Sequence, residues 1–175
     1  VAAPPRSLLF EFLVGPTRSF GSPIGWLQKL VGEWTGEGEA TMAPDKPRER
    51  FHTMETVRSM GGIWILLEGR GETPDGGTAT TLMTLGFDPQ KRRFTGTFIA
   101  AMMTHMWHFD GELDAAEKVL TLHTEGPSVS EASRMTKYKD VIEMAGEDHR
   151  LLTSHMLGED GKWVIFMTVH YTRKP

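Results

Sequence analysis

The stretch VGEWTGEGEATM, Val31 to Met42, decides the fold class. Thr35, Glu37, Glu39 and Thr41 fall on one side of a two-residue alternation, and Trp34, Gly36, Gly38, Ala40 and Met42 fall on the other. Successive side chains of a strand point to opposite faces, so this is a half-buried strand with its acidic face wet and its Trp face inside. Glycine is unfavourable in a strand by propensity. On the inner face it permits the sharp coiling that a small closed barrel needs, and it leaves room for contents. Closure is therefore favoured over an open sheet.

Upstream of this strand one short helix is expected. Ser22 reads as its N-cap, Pro23 as its first residue, Ile24, Leu27 and Val31 as its apolar face, and Gly32 as its terminator. Downstream, turn signals recur at Pro44-Asp45, Gly61-Gly62, Pro74 to Gly77, Asp88-Pro89, Asp110-Gly111, Gly126-Pro127, Gly146 to Asp148 and Asp160-Gly161. The segments between them are rich in Thr, Val, Ile, Phe, Trp and Met, the punctuation of consecutive hairpins rather than of βαβ units. Phe94 to Phe109 has no strong internal turn signal and reads either as one bent strand or as two meeting near Ala101. The expectation is an all-β domain over residues 22–175: a single antiparallel up-and-down β-barrel of about nine or ten strands behind a short N-terminal helix. Residues 1–21 read as an irregular or processed arm.

Composition narrows the function classes. A chain of 175 residues suits one domain, and a globule of this size buries about 70% of its unfolded surface. Lys plus Arg number 19 against 23 Asp plus Glu, a net charge of -4 with no run of five or more like charges, which gives no footprint for nucleic acid or an anionic membrane. The absence of cysteine removes disulfides, thiolate metal sites and Cys nucleophiles together. Leu8 to Val14, interrupted by Glu11, is too short to span a bilayer. A cytoplasmic protein is expected, with periplasmic or secreted placement left open, as is a homodimer.

Gly32-Glu33-Trp34 after a short helix matches the Gly-x-Trp signature of lipocalin and fatty-acid-binding barrels, in which the Trp plugs the closed end and an Arg near the last strand packs on it. Arg173 is placed for that role. Further, LVGEWTGEGEA, GGIWILLEGRGE, TLMTLGFDP, GTFIAAMMTHMW, LTLHTEGPS, YKDVIEM and DGKWVIFMTVHYTRK, running in order from about Trp26 to Lys174, together resemble a bacterial family catalogued as domain of unknown function 1579. That resemblance implies a calycin-like, lipocalin-like barrel of unassigned activity. The segment before Ser22 has no counterpart in it, and His170 departs from it.

Several groups stand out as candidates. His105, His108, His123, His155 and His170 all fall in expected strands, yet no His-x-His or His-x-x-x-His pair occurs, so a metal or haem site would have to be assembled from separate strands. In Arg134 to Met144, Lys137, Lys139, Val141 and Glu143 alternate with Thr136, Tyr138, Asp140 and Ile142, which turns Tyr138 and Asp140 inward. A buried carboxylate is costly unless hydrogen-bonded or paired, so Asp140 needs a partner such as Arg134, Tyr138 or a histidine, or serves as a polar hook for a ligand. Met102, Met103 and Met106 beside Trp107 suit an adaptable apolar lining. Ser154 and His155 are neighbours on a strand and face opposite ways, so they make no nucleophile and base pair. His123 and Glu125 share a face.

These residues lead to a small-molecule-binding barrel holding an apolar or amphipathic ligand. Trp34 is expected at its base, Phe98, Met102, His105 and Trp107 along its wall, and Tyr138, Asp140 or His155 at the ligand's polar end. Neither a cofactor nor a metal is called for, and no catalytic residue is assigned. The alternatives are an enzyme using the same lumen through His105, Asp140 or the His123 and Glu125 pair, a metal- or haem-binding barrel through its histidines, and a filled barrel with a structural role.

Overall fold

The computed structural model describes residues 22–41, 47–72, 76–128, 131 and 133–175. The expected arm over 1–21, the inward placement of Met42 and the turns at Pro44-Asp45 and Pro74-Asp75 lie outside them. Helix α1 (Pro23–Gln28) leads into ten strands: β1 (Gly32–Ala40), β2 (Glu49–Met60), β3 (Trp64–Glu72), β4 (Thr78–Asp88), β5 (Arg93–Ala100), β6 (Trp107–Leu113), β7 (Val119–Pro127), β8 (Met135–Met144), β9 (His149–Leu157) and β10 (Trp163–Arg173). Each strand pairs antiparallel with its sequence neighbour, and β1 also pairs with β10, which closes the barrel. Phe94 to Phe109 is two strands, β5 and β6.

The alternation read from β1 sets the inner face all the way round. Trp34, Gly36 and Gly38 are buried, while Thr35 and Glu37 are exposed. Register then carries the inward side from Gly38 to Phe51 and Val169, and from Trp34 to Glu55 and Arg173. The glycines leave less room than the sequence suggests. A Cβ on Gly38 would lie 2.3 Å from the Phe51 ring, and one on Gly126 would lie 2.2 Å from the Trp107 ring, so neighbouring aromatics already occupy that space.

Two sequence expectations fail for physical reasons. Asp110-Gly111 is no turn. It lies inside β6, where Gly111 admits the Leu122 side chain, 2.5 Å from the position a Cβ would take. The turn comes next, over residues 114–118, without Gly or Pro: the Asp114 carboxylate accepts from the backbone N–H of Lys118 (2.7 Å) and Val119 (3.0 Å), and Glu117 takes φ 54°. The helix face also differs. Ser22 caps α1 as expected, accepting from the Gly25 N–H at 3.0 Å, but the helix stops at Gln28, and Trp26, Leu27 and Leu30 are the buried residues rather than Ile24 and Val31.

α1 covers one end of the barrel. Trp26, Leu27, Leu30 and Trp34 pack there with Ile65, Leu85, Phe94 and Leu120, all essentially inaccessible. The Trp34 indole N–H donates to the Leu30 carbonyl at 2.9 Å, and that of Trp26 donates to the Glu117 carbonyl at 2.9 Å. Arg173 locks this floor. Its guanidinium lies 4.1 Å from the centre of the Trp34 ring and donates to the carbonyls of Val31 (2.6 Å), Lys29 (2.7 Å) and Glu147 (3.0 Å), so it serves the backbone that leaves α1. Replacing it strands those carbonyls and uncovers the ring. Arg173→Ala is expected to cost about 2 to 3 kcal/mol in urea denaturation, and Arg173→Lys to recover little of it because an ammonium lacks the planar fork. A loss no larger than that of the exposed Arg48→Ala would refute this role.

Candidate functional site

The barrel interior divides into two zones. Around the helix-covered end the inward side chains Val57, Ile65, Leu67, Leu85, Phe94, Leu120, Leu122 and Ile142 are buried. Toward the other end the same faces continue through Phe51, Met83, Phe98, Trp107 and Met167, which pack against the core yet stay only partly buried, as Phe87, Leu113 and Met144 also do at the helix-covered end. This part of the inner wall is apolar and incompletely covered by protein atoms, as the lining of a recess is.

Polar groups interrupt this wall at two levels. At the lower level the Arg150 side chain reaches from β9 across β10 and β1 to an ion pair with Glu55 on β2. Its guanidinium lies 4.2 Å from the Tyr171 ring and 4.7 Å from the Trp34 ring. Burial pushes the Tyr171 phenol above its ordinary value, and the Glu55 carboxylate adds to that. Higher up, Asp140 sits between Leu122 of β7 and Ser154 of β9 on the inward register. Its hydrogen-bond partner is the Ser154 hydroxyl, where the sequence suggested Arg134, Tyr138 or a histidine; Arg134 pairs with Glu159 on the surface instead. Burial pushes the Asp140 carboxyl up to about 6, against the lowering effect of that hydrogen bond, yet part of the residue's surface stays uncovered. Deep placement with incomplete cover fits a carboxyl that faces an internal space. The buried Thr124 hydroxyl, also on an inward position, has no hydrogen-bond partner.

Above Asp140 the rings run edge to face. Trp107 and Tyr138 meet at 4.9 Å and 88°, Tyr138 and Phe166 at 6.0 Å and 81°, and His105 packs on Trp107 at 4.9 Å. Tyr138 donates its hydroxyl to the Pro127 carbonyl at 2.7 Å. Phe98 stands opposite Trp107 in the β5 and β6 register. Phe98, Trp107, Tyr138 and Asp140 therefore share one inward region.

The other four sequence candidates do not join them. Trp34 lies beneath, fully buried between the guanidiniums of Arg150 and Arg173, as part of the floor. His105 is at the rim, in the connection after β5, with its Nε2 3.3 Å from the Glu125 carbonyl oxygen. Met102 is on the same connection and 58% exposed, off the wall on which it was expected. His155 faces outward, paired in register with Lys139 and Ile165. Burial and then the charge of Lys139 push its imidazole below the ordinary value. Ser154 takes the inward place in β9, so the expectation that His155 orients a ligand in the lumen is corrected. Sequence reasoning missed this because Leu151 and Leu152 are both apolar, which blurs the alternation of β9.

The same register disposes of the histidine alternatives. His123 aligns with Asp110 and Lys139 on the outer surface, and His170 aligns with Glu37 and is exposed, so neither faces the lumen. Among the described residues no group of three His, Cys, Asp or Glu is placed to hold a metal ion. Glu55 and Arg150 were not singled out in the sequence; 95 positions separate them, and no local pattern marks the pair. A different concavity, of about 800 Å³, lies on the outer surface over β2 to β5 beside Met54, Arg70, Leu82, Ile99 and Met103. It is wide open to solvent, and four of these five side chains are strongly exposed, so it lacks the enclosure of a small-molecule site.

With this geometry in place, the family model described as protein of unknown function (DUF1579) matches residues 21–173. The chain belongs to that family. No curated protein matches it in sequence. Among solved structures it is similar to the S-type phycobiliprotein lyase CPES from Guillardia theta, with a TM-score of 0.58 and 13% identity over 86% of this chain and 91% of that one. It is likewise similar to Rv2717c from M. tuberculosis, with a TM-score of 0.58 and 12% identity over 88% of this chain and 99% of that one. At such identities the likeness is one of fold, a lipocalin-like barrel. Among the described residues no helix is long and apolar enough to cross a membrane.

The raised Asp140 carboxyl has a defined consequence for stability. The folded protein holds this proton to higher pH than the unfolded chain does, so its contribution to stability is lost as pH rises from about 4 to about 6. Asp140→Asn removes that loss. In urea denaturation at pH 4 to 7 the variant is expected to match the parent at the acid end and to gain on it up to a ceiling of about 3 kcal/mol above pH 6. A variant less stable than the parent at pH 7 would contradict the assignment.

Proposed function

We propose that this protein binds one small apolar or amphipathic molecule in the open half of its barrel. Phe98, Trp107 and Tyr138 would hold the apolar body, and Asp140 with Ser154 would receive the polar end. The observation that carries this reading is the change in cover along one continuous inner face. Inward residues at mid-barrel, Val57, Ile65, Leu67, Leu85, Leu122 and Ile142, are sealed, whereas Phe51, Met83, Phe98, Trp107 and Met167 toward the end away from α1 are not. A core that served stability alone would gain by filling that zone, since each buried methylene contributes about 0.8 kcal/mol. A polar group set at the depth of Asp140 within such a wall gives orientation, as in small-molecule sites generally.

An enzymatic reading through the same recess finds less support. Acid and base chemistry at Asp140 calls for a second titrating group beside it; its hydrogen-bond partner is the Ser154 hydroxyl, His123, His155 and His170 lie on outer faces, and His105 is held at the rim against Trp107. The ligand reading is tested by titrating the protein with N-phenyl-1-naphthylamine and following its fluorescence. Saturable binding at one site is expected. Ala40→Trp, which places a bulky ring on the inward face opposite Met167, should abolish it, and Ile99→Ser in the outer groove should leave it unchanged. The opposite pattern would move the site to the outer surface, and no binding to the parent protein would remove the reading.

A further inference from the structure

Charges on the inward faces do not balance. Along the register the inner wall carries Glu49 at the rim, Glu55 and Asp140 as acids, with Arg150 as the base. Arg150 is committed to Glu55. Arg173 is committed beneath the floor, where it lies against Trp34 and pairs with Asp148 at 3.3 Å. The lysines nearest in sequence to Asp140 point away: Lys137 is exposed, and Lys139 lies outside over the Trp163 ring at 4.7 Å. Among the described residues Asp140 therefore has a hydroxyl partner and no cationic one. A carboxylate in that position is costly by itself, and its natural complement is a positive charge delivered from outside.

The rings near it supply the second half of such a site. Trp107, paired in register with Phe98, is half-buried and stands almost perpendicular to the buried Tyr138 at 4.9 Å, on the same inner face as Asp140 and farther from α1. Aromatic faces attract cations through their quadrupole, most strongly where water is excluded.

We propose that the recess selects a ligand with a cationic amine on an apolar body, Asp140 acting as counter-ion and the half-buried rings of Trp107 and Phe98 as the aromatic surface beside it. This rests on the lumen-binding reading and narrows it to a charge class. The carboxyl, pushed up to about 6, also makes the preference pH-dependent, since protonation removes the counter-charge. Other ionisable groups facing that space are the phenols of Tyr138 and Tyr171, the Glu55 and Arg150 pair, Glu49 at the rim, and His105 beside Trp107.

The test is calorimetric titration with three probes of one chain length: decyltrimethylammonium, whose charge does not titrate, 1-decanol and decanoate. The ammonium is expected to bind roughly tenfold or more tighter than either of the others at pH 7.5, and to weaken as pH falls through about 6 while decanol does not. In Asp140→Asn the preference should fall to within about threefold and the pH step should vanish. Decanol or decanoate binding as tightly as the ammonium to the parent protein would overturn the charge assignment and leave the binding reading standing. If none of the three probes binds, both fall. A pH step that persists in Asp140→Asn would overturn Asp140 as the counter-ion.

Discussion

The indole of Trp34 held between two guanidiniums is the contact on which the rest of the structure depends. Arg173 lies over it from the last strand at 4.1 Å from the ring centre, and Arg150 from β9 at 4.7 Å. A ten-stranded barrel has its first and last strands meeting at one seam, and the seam must be fixed in register before the interior exists as an enclosed space. Here the register pairs Trp34 with Arg173 directly, and the same arginine accepts responsibility for the carbonyls where the chain leaves α1. One side chain thus ties together helix, first strand and last strand. Cation and ring gain most where water is excluded, which the packing of Trp26, Leu27 and Leu30 around the indole ensures.

Above that floor the interior shows how an ionic group is tolerated in a low-dielectric setting. Arg150 meets Glu55 and lies against Tyr171 and Trp34, so its charge is matched by a carboxylate and by two ring faces. Removing one member of such a pair is far more damaging than never having had it, because the remaining charge stays buried. Asp140 is the contrasting case. Its hydroxyl partner cannot offset the cost of burial, and the carboxyl is driven toward its neutral form. The two acids differ in their neighbours: Glu55 meets a guanidinium and Asp140 a hydroxyl.

Distant barrels with this shape share about an eighth of their residues with this chain, so the likeness is one of fold. Function on such a scaffold resides in the side chains that face the interior. In this family member that lining is aromatic and methionine-rich away from α1, with the carboxyls of Glu55 and Asp140 set within it.

Sequence by itself determined the all-β class, the antiparallel order and the inner face of the first strand, because a period of two and frequent turn residues are local properties of the chain. It also pointed to the inward turn of Tyr138 and Asp140, which follows from a short alternating pattern, while the placing of Arg173 on Trp34 came from the resemblance to lipocalin-type barrels. Glycine misled it where the residue marked close packing instead of a turn, as at Gly111, and the paired leucines of β9 hid which way His155 points. Only the tertiary structure decided that Arg150 crosses two strands to reach Glu55, that Ser154 is the partner of Asp140, and that Phe51, Met83, Phe98, Trp107 and Met167 stay half-buried on the inner face. Those are properties of closure: they come from strands far apart in the chain being brought to one register, and no window of sequence contains both members of such a pair.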